Sequence, residues 1–146
     1  MSLLRGSAAF ILLMVSQNIA WAQLAVDTNE TPSQLVKTIL SNSIIAYNIK
    51  YTGEHGAIGY FDGTHSNIGL NNGVIMTTGR ATNAIGPSNP GNKGVNNGLP
   101  GDSALTVISG DSTFDACILE FDFVPYADTM SFDFVFGSQE YPEFTC

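Results

Sequence analysis

Basic residues and histidines are scarce in this chain, and each shortage argues against a class of function. Five lysine and arginine residues stand against thirteen aspartate and glutamate residues. This excess of negative charge would repel phosphate backbones and anionic lipid headgroups, so nucleic-acid binding is not expected. His55 and His65 lie in glycine-rich turns without a cysteine or further histidine at zinc spacing, so we expect both to be solvent-exposed loop residues.

The chain also lacks an apolar run long enough to cross a membrane. The run at residues 8–15 is followed by polar residues and falls short of the roughly 20 residues of a spanning helix. It lies between a positive charge at Arg5 and a small-x-small site at residues 20–22, the arrangement of a cleavable signal peptide. We therefore predict that residues 1–22 are removed on export and that the mature chain begins at Gln23. The mature chain is expected outside the cell, either secreted or attached to the cell surface.

Removal of the signal peptide leaves 124 of 146 residues and takes away one of the five basic ones, so the mature chain has a net charge of −9. We divide it into a linker, residues 23–30, and one domain, residues 31–146, which is long enough for a core of its own. The acidic surface suits solubility or divalent cations. Cys117 and Cys146 could pair in an oxidising compartment, and a buried thiol at Cys117 with an unpaired Cys146 fits the sequence equally well.

One short helix is indicated near the mature N-terminus. Thr31 suits the N-cap, Pro32 suits the first helical position, and Gln34 completes a capping box. Four apolar side chains then fall on one face: Leu35, Val36, Ile39 and Leu40. The pattern predicts an amphipathic helix over residues 32–41 that covers a sheet.

The next part of the chain reads as strands and turns. Alternating patterns predict strands at residues 45–51, 57–61 and 74–78. Residues 79–103 contain six glycines, five asparagines and three prolines, a composition in which no regular element is expected. A loop of this length is either functional or disordered, and the sequence leaves both alternatives open.

The strongest alternation lies near the C-terminus. Residues 117–123 and 130–136 both place aromatic or aliphatic side chains at every second position, and the loop between them contains Pro125 and Asp128. The pattern predicts an antiparallel hairpin at the centre of the core. Four phenylalanines would share its buried face: Phe121, Phe123, Phe132 and Phe134. Each of them would contribute roughly 1.5–3 kcal/mol to stability.

The same hairpin register sets Glu120 opposite Asp133 on the other face, where like charges destabilise a sheet. Solvent screening is the commonest remedy, and a proton held by a raised pKa or a bound cation are the alternatives. Glu140 and Glu143 flank Pro142 and could supply further oxygen ligands, although no EF-hand spacing is present. The sequence thus predicts a calcium site formed by Glu120, Asp133, Glu140 and Glu143, with screening as the competing interpretation.

One segment, residues 101–105, superficially resembles the Gly-Asp-Ser-Leu block of a lipase family. An alanine interrupts the block, and both histidines lie upstream of Ser103, whereas that family has its histidine near the C-terminus. The chain also lacks the alternating strand–helix pattern of an α/β fold. We expect Ser103 to be a turn residue and the chain not to be an enzyme.

A succession of short segments resembles the choice-of-anchor L domain, an extracellular module of bacterial secreted and surface proteins. The segments are YTG (51–53), IGYFDG (58–63), GVIMTTG (73–79), GPSN (86–89), PGD (100–102), DACILEFDFVP (115–125) and SFDFVFGSQEYPEF (131–144). The resemblance implies attachment to the cell surface by varied C-terminal signals. Gln139 stands where the family usually has a glutamate, which removes one acidic candidate ligand. Cys117 stands at a position where the family usually has a different small residue. The family pattern continues beyond this block, so we expect C-terminal strands to be missing and a sheet edge to be exposed.

These observations together predict an all-β fold, a jelly-roll-like antiparallel β-sandwich with one short N-terminal helix. The predicted function is that of a non-catalytic secreted or cell-surface module for adhesion or surface interaction, with an extracellular protein or glycan as partner. The alternative is a fragment of a secreted hydrolase or of a carbohydrate-binding module. A convergent nucleophile and base would favour the hydrolase, and the sequence offers no such pair.

Overall fold

The computed structural model describes residues 23–40, 44–86 and 94–138, which form two small antiparallel sheets and two helices. The elements follow in the order β1 (Ala25–Asp27), α1 (Pro32–Ile39), β2 (Ala46–Thr52), β3 (Ile58–Asp62), β4 (Asn72–Met76), α2 (Ser103–Ser109) and β5 (Ile118–Phe123). Strand β3 lies between β1 and β4 in one sheet, and β2 pairs with β5 in the other. The prediction of a strand-rich, antiparallel fold is confirmed at this level.

Helix α1 begins as its sequence predicts. The Thr31 hydroxyl accepts from the Gln34 amide at 3.4 Å, and the Gln34 side-chain oxygen accepts from the Thr31 amide at 2.8 Å. These two bonds satisfy amide groups that the first turn of a helix leaves without a partner. The helix packs against β2, β3 and β4, so it contacts both sheets and joins them.

The buried core lies between this helix and strand β3. Its apolar members are Leu35, Val36, Leu40, Ala57, Ile58, Phe61 and Ala81. Phe61 is only 6% exposed, and its ring lies over Gly73 on the neighbouring strand β4. A Cβ atom at Gly73 would meet that ring at 2.9 Å, so the missing side chain is what lets the aromatic ring lie against the sheet.

The predicted hairpin of residues 117–123 and 130–136 is wrong. Strand β5 pairs with β2 instead, with Leu119 opposite Tyr51, and the described residues from 124 to 138 form no strand. Phe132 and Phe134 are 58% and 84% exposed. Alternation identified β5 as a strand, but a period of two does not specify which strand lies beside it.

Only half of the predicted aromatic face is therefore present. Phe121 and Phe123 are half-buried on one side of β5, with their ring centroids 6.1 Å apart. The centre of the core is the packing of α1 on β3 and not this pair. Strand β5 lies at the side of the core and contributes none of its buried residues.

Residues 25–27 were predicted as linker and form strand β1. Val26 lies opposite Phe61, and Asp27 lies opposite Tyr60, so this segment is an edge strand of the three-stranded sheet. A strand of three residues is too short to display a clear alternation. It is recognised as a strand only by its antiparallel pairing with β3.

The glycine-rich segment contains regular structure that its composition did not predict. Residues 81–85 form a 3₁₀ turn, and α2 starts at Ser103 at the end of the segment. The Asp102 carboxylate accepts from the Leu105 amide at 2.9 Å, and Gly110, in the left-handed conformation, ends the helix. Ser103 is thus the first residue of a helix and not a turn residue.

Candidate binding face on the β2–β5 sheet

Polar side chains from both strands meet on the exposed face of the β2–β5 sheet. The Lys50 ammonium lies 3.4 Å from a Glu120 carboxylate oxygen, and the Asn48 amide donates to Asp122 at 2.6 Å. The Lys50 and Glu120 side chains are 69% and 58% exposed, so their ion pair contributes less than about 1 kcal/mol. The Lys50 and Glu120 side chains are therefore accessible to a binding partner, and the ion pair between them is weak.

This arrangement corrects the predicted charge pairing. Glu120 lies opposite Lys50 and not opposite Asp133, so its charge is already balanced by a cation. The earlier expectation of two opposed carboxylates depended on the hairpin register, which the structure does not contain. Lys50 was not singled out in the sequence, where it is only one polar residue of an alternating strand.

The four predicted calcium ligands are not brought together in the part of the chain that can be described. Glu120 lies on β5, and Asp133 is exposed in the segment after it. Glu140 and Glu143 lie outside the described residues. Within residues 23–40, 44–86 and 94–138, no group of three or more acidic, histidine or cysteine side chains is placed to hold a metal. The calcium site stays a prediction.

Strand β2 bends beside this face. Asn48 has a positive φ of 51°, and the pairing with β5 shifts between Tyr47 and Lys50. The shift is a β-bulge, which breaks the alternation and leaves Tyr47 48% exposed. Asparagine is one of the few residues that adopt this conformation readily. The bulge orients the Asn48 side chain towards Asp122.

A groove of about 560 Å³ runs along β5. It is lined by Asn48, Lys50 and the five consecutive residues 119–123. Asn48 and Lys50 lie on β2, so the groove is on the polar face that the two strands share. A smaller cavity of about 230 Å³ between α1 and β2 has mainly apolar walls, among them Val36, Leu40 and Ile49.

A buried carboxylate holds the loop that precedes α2. Asp115 is 9% exposed, and its two oxygens accept from the Leu99 and Asn97 amides at 2.7 and 3.0 Å. The Asn97 side chain in turn donates to the carbonyls of Thr78 and Gly79. Asp115 thus ties the end of the glycine-rich segment to the approach to β5. A single aspartate before an apolar strand has no distinctive pattern, so this role could not be predicted from the sequence.

The Cys117 thiol makes hydrogen-bond contacts with two neighbouring residues. It lies 3.5 Å from the Tyr51 hydroxyl and donates to the Ala57 carbonyl at 3.5 Å. The Tyr51 hydroxyl donates to the Glu54 carbonyl at 2.6 Å. Burial, and then the hydrogen bond with Cys117, raise the pKa of Tyr51 above its ordinary value, so this hydroxyl keeps its proton. Cys117 is a free, half-buried thiol here, and Cys146 lies outside the described residues.

The lipase-like segment contains the start of helix α2. Asp102 caps α2 and Ser103 is its exposed first residue. His55 lies in a 3₁₀ turn and His65 in the turn after β3, and both are exposed, as predicted. None of the hydrogen bonds found among the described residues joins Ser103 to a histidine.

The sequence can be compared with known families. A family model described as the choice-of-anchor L domain matches residues 25–146. The chain belongs to this family. The match covers most of the sequence and begins at the first residue of β1. Comparisons with curated proteins and with solved structures found no match.

Membership of the choice-of-anchor L domain family indicates a surface or secreted module. It agrees with the resemblance seen in the short sequence segments. Within the described residues, neither helix has the length and apolar character needed to cross a membrane.

Proposed function

We propose that this choice-of-anchor L protein is an exported, non-catalytic module that binds an extracellular protein or glycan and acts in adhesion or surface interaction. The family match over residues 25–146 carries the proposal. The signal-peptide pattern of residues 1–22 supports export, and the exposed polar face of the β2–β5 sheet supports binding. We further propose that the two sheets are the layers of a jelly-roll-like sandwich.

Export can be tested by the position of the new N-terminus. We expect the exported chain to begin at Gln23, because Ala20-Trp21-Ala22 is the small-x-small site that signal peptidase cleaves. N-terminal sequencing, or the intact mass of protein recovered from outside the cell, measures this directly. Exported protein that still begins at Met1 would contradict the prediction. Ala22→Asp should block cleavage and serves as the control.

Surface location and binding require a separate experiment. Lys37 and Lys50 are exposed, so a membrane-impermeant amine reagent should label the chain on intact cells or in the medium, with a cytosolic protein as the unlabelled control. The purified mature chain should then bind a component of an array of extracellular proteins and glycans. Labelling that occurs only after lysis would refute the surface location, and an array without any binding would refute adhesion.

The alternative function is that of a secreted hydrolase fragment or carbohydrate-binding module. Hydrolysis of ester or glycoside substrates that disappears in Ser103→Ala would favour the hydrolase. Binding to glycans alone, without turnover, would favour the carbohydrate-binding module. The capping role of Asp102 and the exposed position of Ser103 support the non-catalytic proposal.

Calcium binding is a second proposal, based on Glu120, Asp133, Glu140 and Glu143. An ion that binds the folded state alone raises its stability by about 2.7 kcal/mol at a hundredfold excess over Kd. We expect a higher melting temperature in millimolar calcium than in chelator, and we expect Glu120→Gln with Asp133→Asn to remove the difference. Lys37→Gln, an exposed charge change elsewhere, is the control. Equal melting temperatures would leave solvent screening and the Lys50 ion pair as the account of these charges.

A further inference from the structure

The residues after β5 expose an alternating row of large apolar side chains. In the apolar segment, Met130–Phe136, one set of alternate residues is Met130, Phe132, Phe134 and Phe136, with exposed fractions of 37%, 58%, 84% and 85%. Ser131, Asp133 and Val135 alternate with them. A contiguous exposed apolar stretch of this kind marks an interaction surface. The period of two indicates that the interaction is made as a β-strand.

Strand β5 has one edge that no described strand occupies, and this edge could receive such a strand. Within the described residues, β2 is its one neighbour. The Val124 amide, just past β5, donates to Ile45 beside β2 at 3.2 Å. Successive backbone amides of a strand point in opposite directions, so those of Phe123 and Phe121 point to the free edge.

We propose that two copies of the chain exchange the apolar segment, so that Met130–Phe136 of each copy adds to the free edge of β5 in the other. Each two-stranded sheet then becomes three-stranded. Both the donor segment and the acceptor edge are on every copy, so a two-fold arrangement uses both and closes on itself. Their lengths also match, because the segment has seven residues and β5 has six. The segment is not paired with β5 of its own chain.

The surface involved approaches the size of a stable dimer interface. A buried phenylalanine removes roughly 150–250 Å² from water, so three phenylalanines in each of two segments bury on the order of 1,000 Å². The added backbone pairing brings the total towards the range of about 1,200–2,000 Å² found in stable interfaces. This dimer is independent of the extracellular role proposed above, and either proposal can fail without the other.

The test measures the mass of the full exported chain in solution as a function of concentration. Sedimentation should show one chain at high dilution and two chains as the protein is concentrated. Val135→Pro removes a backbone amide that a paired strand would need, and Phe134→Asp puts a charge on the apolar face. Both variants should weaken dimerisation by at least about tenfold, which corresponds to roughly 1.4 kcal/mol. Neither should unfold the monomer, because residue 134 is highly exposed and neither residue lies in a strand of the two sheets.

A matched control separates strand exchange from general stickiness. Val107 on α2 is 82% exposed, close to the 84% of Phe134, and lies outside the segment. Val107→Asp should leave dimerisation unchanged. Amide exchange should slow at residues 130–136 and at Phe121 and Phe123 when the wild-type protein is concentrated.

Several results would overturn the proposal. A wild-type chain that stays monomeric at all concentrations would do so, as would loss of the dimer in Val107→Asp. Open-ended multimers would show that the exchange is not two-fold. Slow amide exchange of the segment in the monomer would show that it pairs within its own chain.

Discussion

Phe61→Ala should lower the free energy of unfolding by about 3–5 kcal/mol, the cost of replacing a well-buried phenylalanine by alanine in a packed core. The ring is 6% exposed on the central strand of the three-stranded sheet. It also covers Gly73, so the smaller side chain would leave a cavity that a glycine neighbour cannot fill. This loss would be a large part of the total free energy of unfolding, which is only about 5–15 kcal/mol for a domain.

The matched control is Phe134→Ala, the same substitution at a side chain that is 84% exposed. We expect it to change the free energy of unfolding by less than about 0.5 kcal/mol. Denaturant titration at a dilution where the chain is monomeric measures both variants. A loss at Phe134 as large as that at Phe61 would show that the hairpin predicted from the sequence forms in solution after all.

Asp115→Ala should lower the free energy of unfolding by about 2–4 kcal/mol. The substitution leaves the Asn97 and Leu99 amides without their acceptor, and a hydrogen bond to a charged group contributes about 1.5–3 kcal/mol. Asp115 also has a positive φ of 52°, a conformation that aspartate and asparagine tolerate better than alanine. The two effects add, since one concerns the side chain and the other the backbone.

Two variants divide this loss into its causes. Asp115→Asn keeps the backbone preference and one acceptor oxygen, so it should lose about half as much as alanine. Asp111→Ala removes an exposed carboxylate a few residues away and controls for net charge. Amide exchange should become faster at both Asn97 and Leu99 in Asp115→Ala, at one of them in Asp115→Asn, and at neither in Asp111→Ala. Unchanged exchange there would show that the carboxylate does not hold the loop.

Local signals in the sequence were sufficient to predict helix α1 and the approximate positions of several strands. The capping box of Thr31 and Gln34 involves residues three positions apart, so the helix start could be predicted without any knowledge of tertiary contacts. Strand β3 was predicted one residue early, and β4 was predicted two residues late. Ends of elements depend on hydrogen bonds to neighbours that the sequence does not name.

Pairing between distant strands could not be predicted in this way. The alternating pattern of residues 130–136 matched that of β5, and their closeness in the chain favoured a hairpin. The structure pairs β5 with β2 instead, which places Tyr51 opposite Leu119. The predicted opposition of Glu120 and Asp133 failed with the hairpin. Asp115 was missed because only the folded loop brings its acceptor oxygens to the Asn97 and Leu99 amides.

The long-range pairing of β2 with β5 also imposes an order on folding. Asn48 and Asp122, which meet across this sheet, are 74 positions apart, whereas β1, β3 and β4 all lie within residues 25–76. A chain that crosses a membrane N-terminus first presents the three-stranded sheet and α1 well before β5 emerges. Until then β2 has no strand beside it, and its backbone amides are open to any extended chain nearby. In the export that we propose, the interval between the emergence of residues 52 and 118 is therefore the period in which β2 is most open to mispairing.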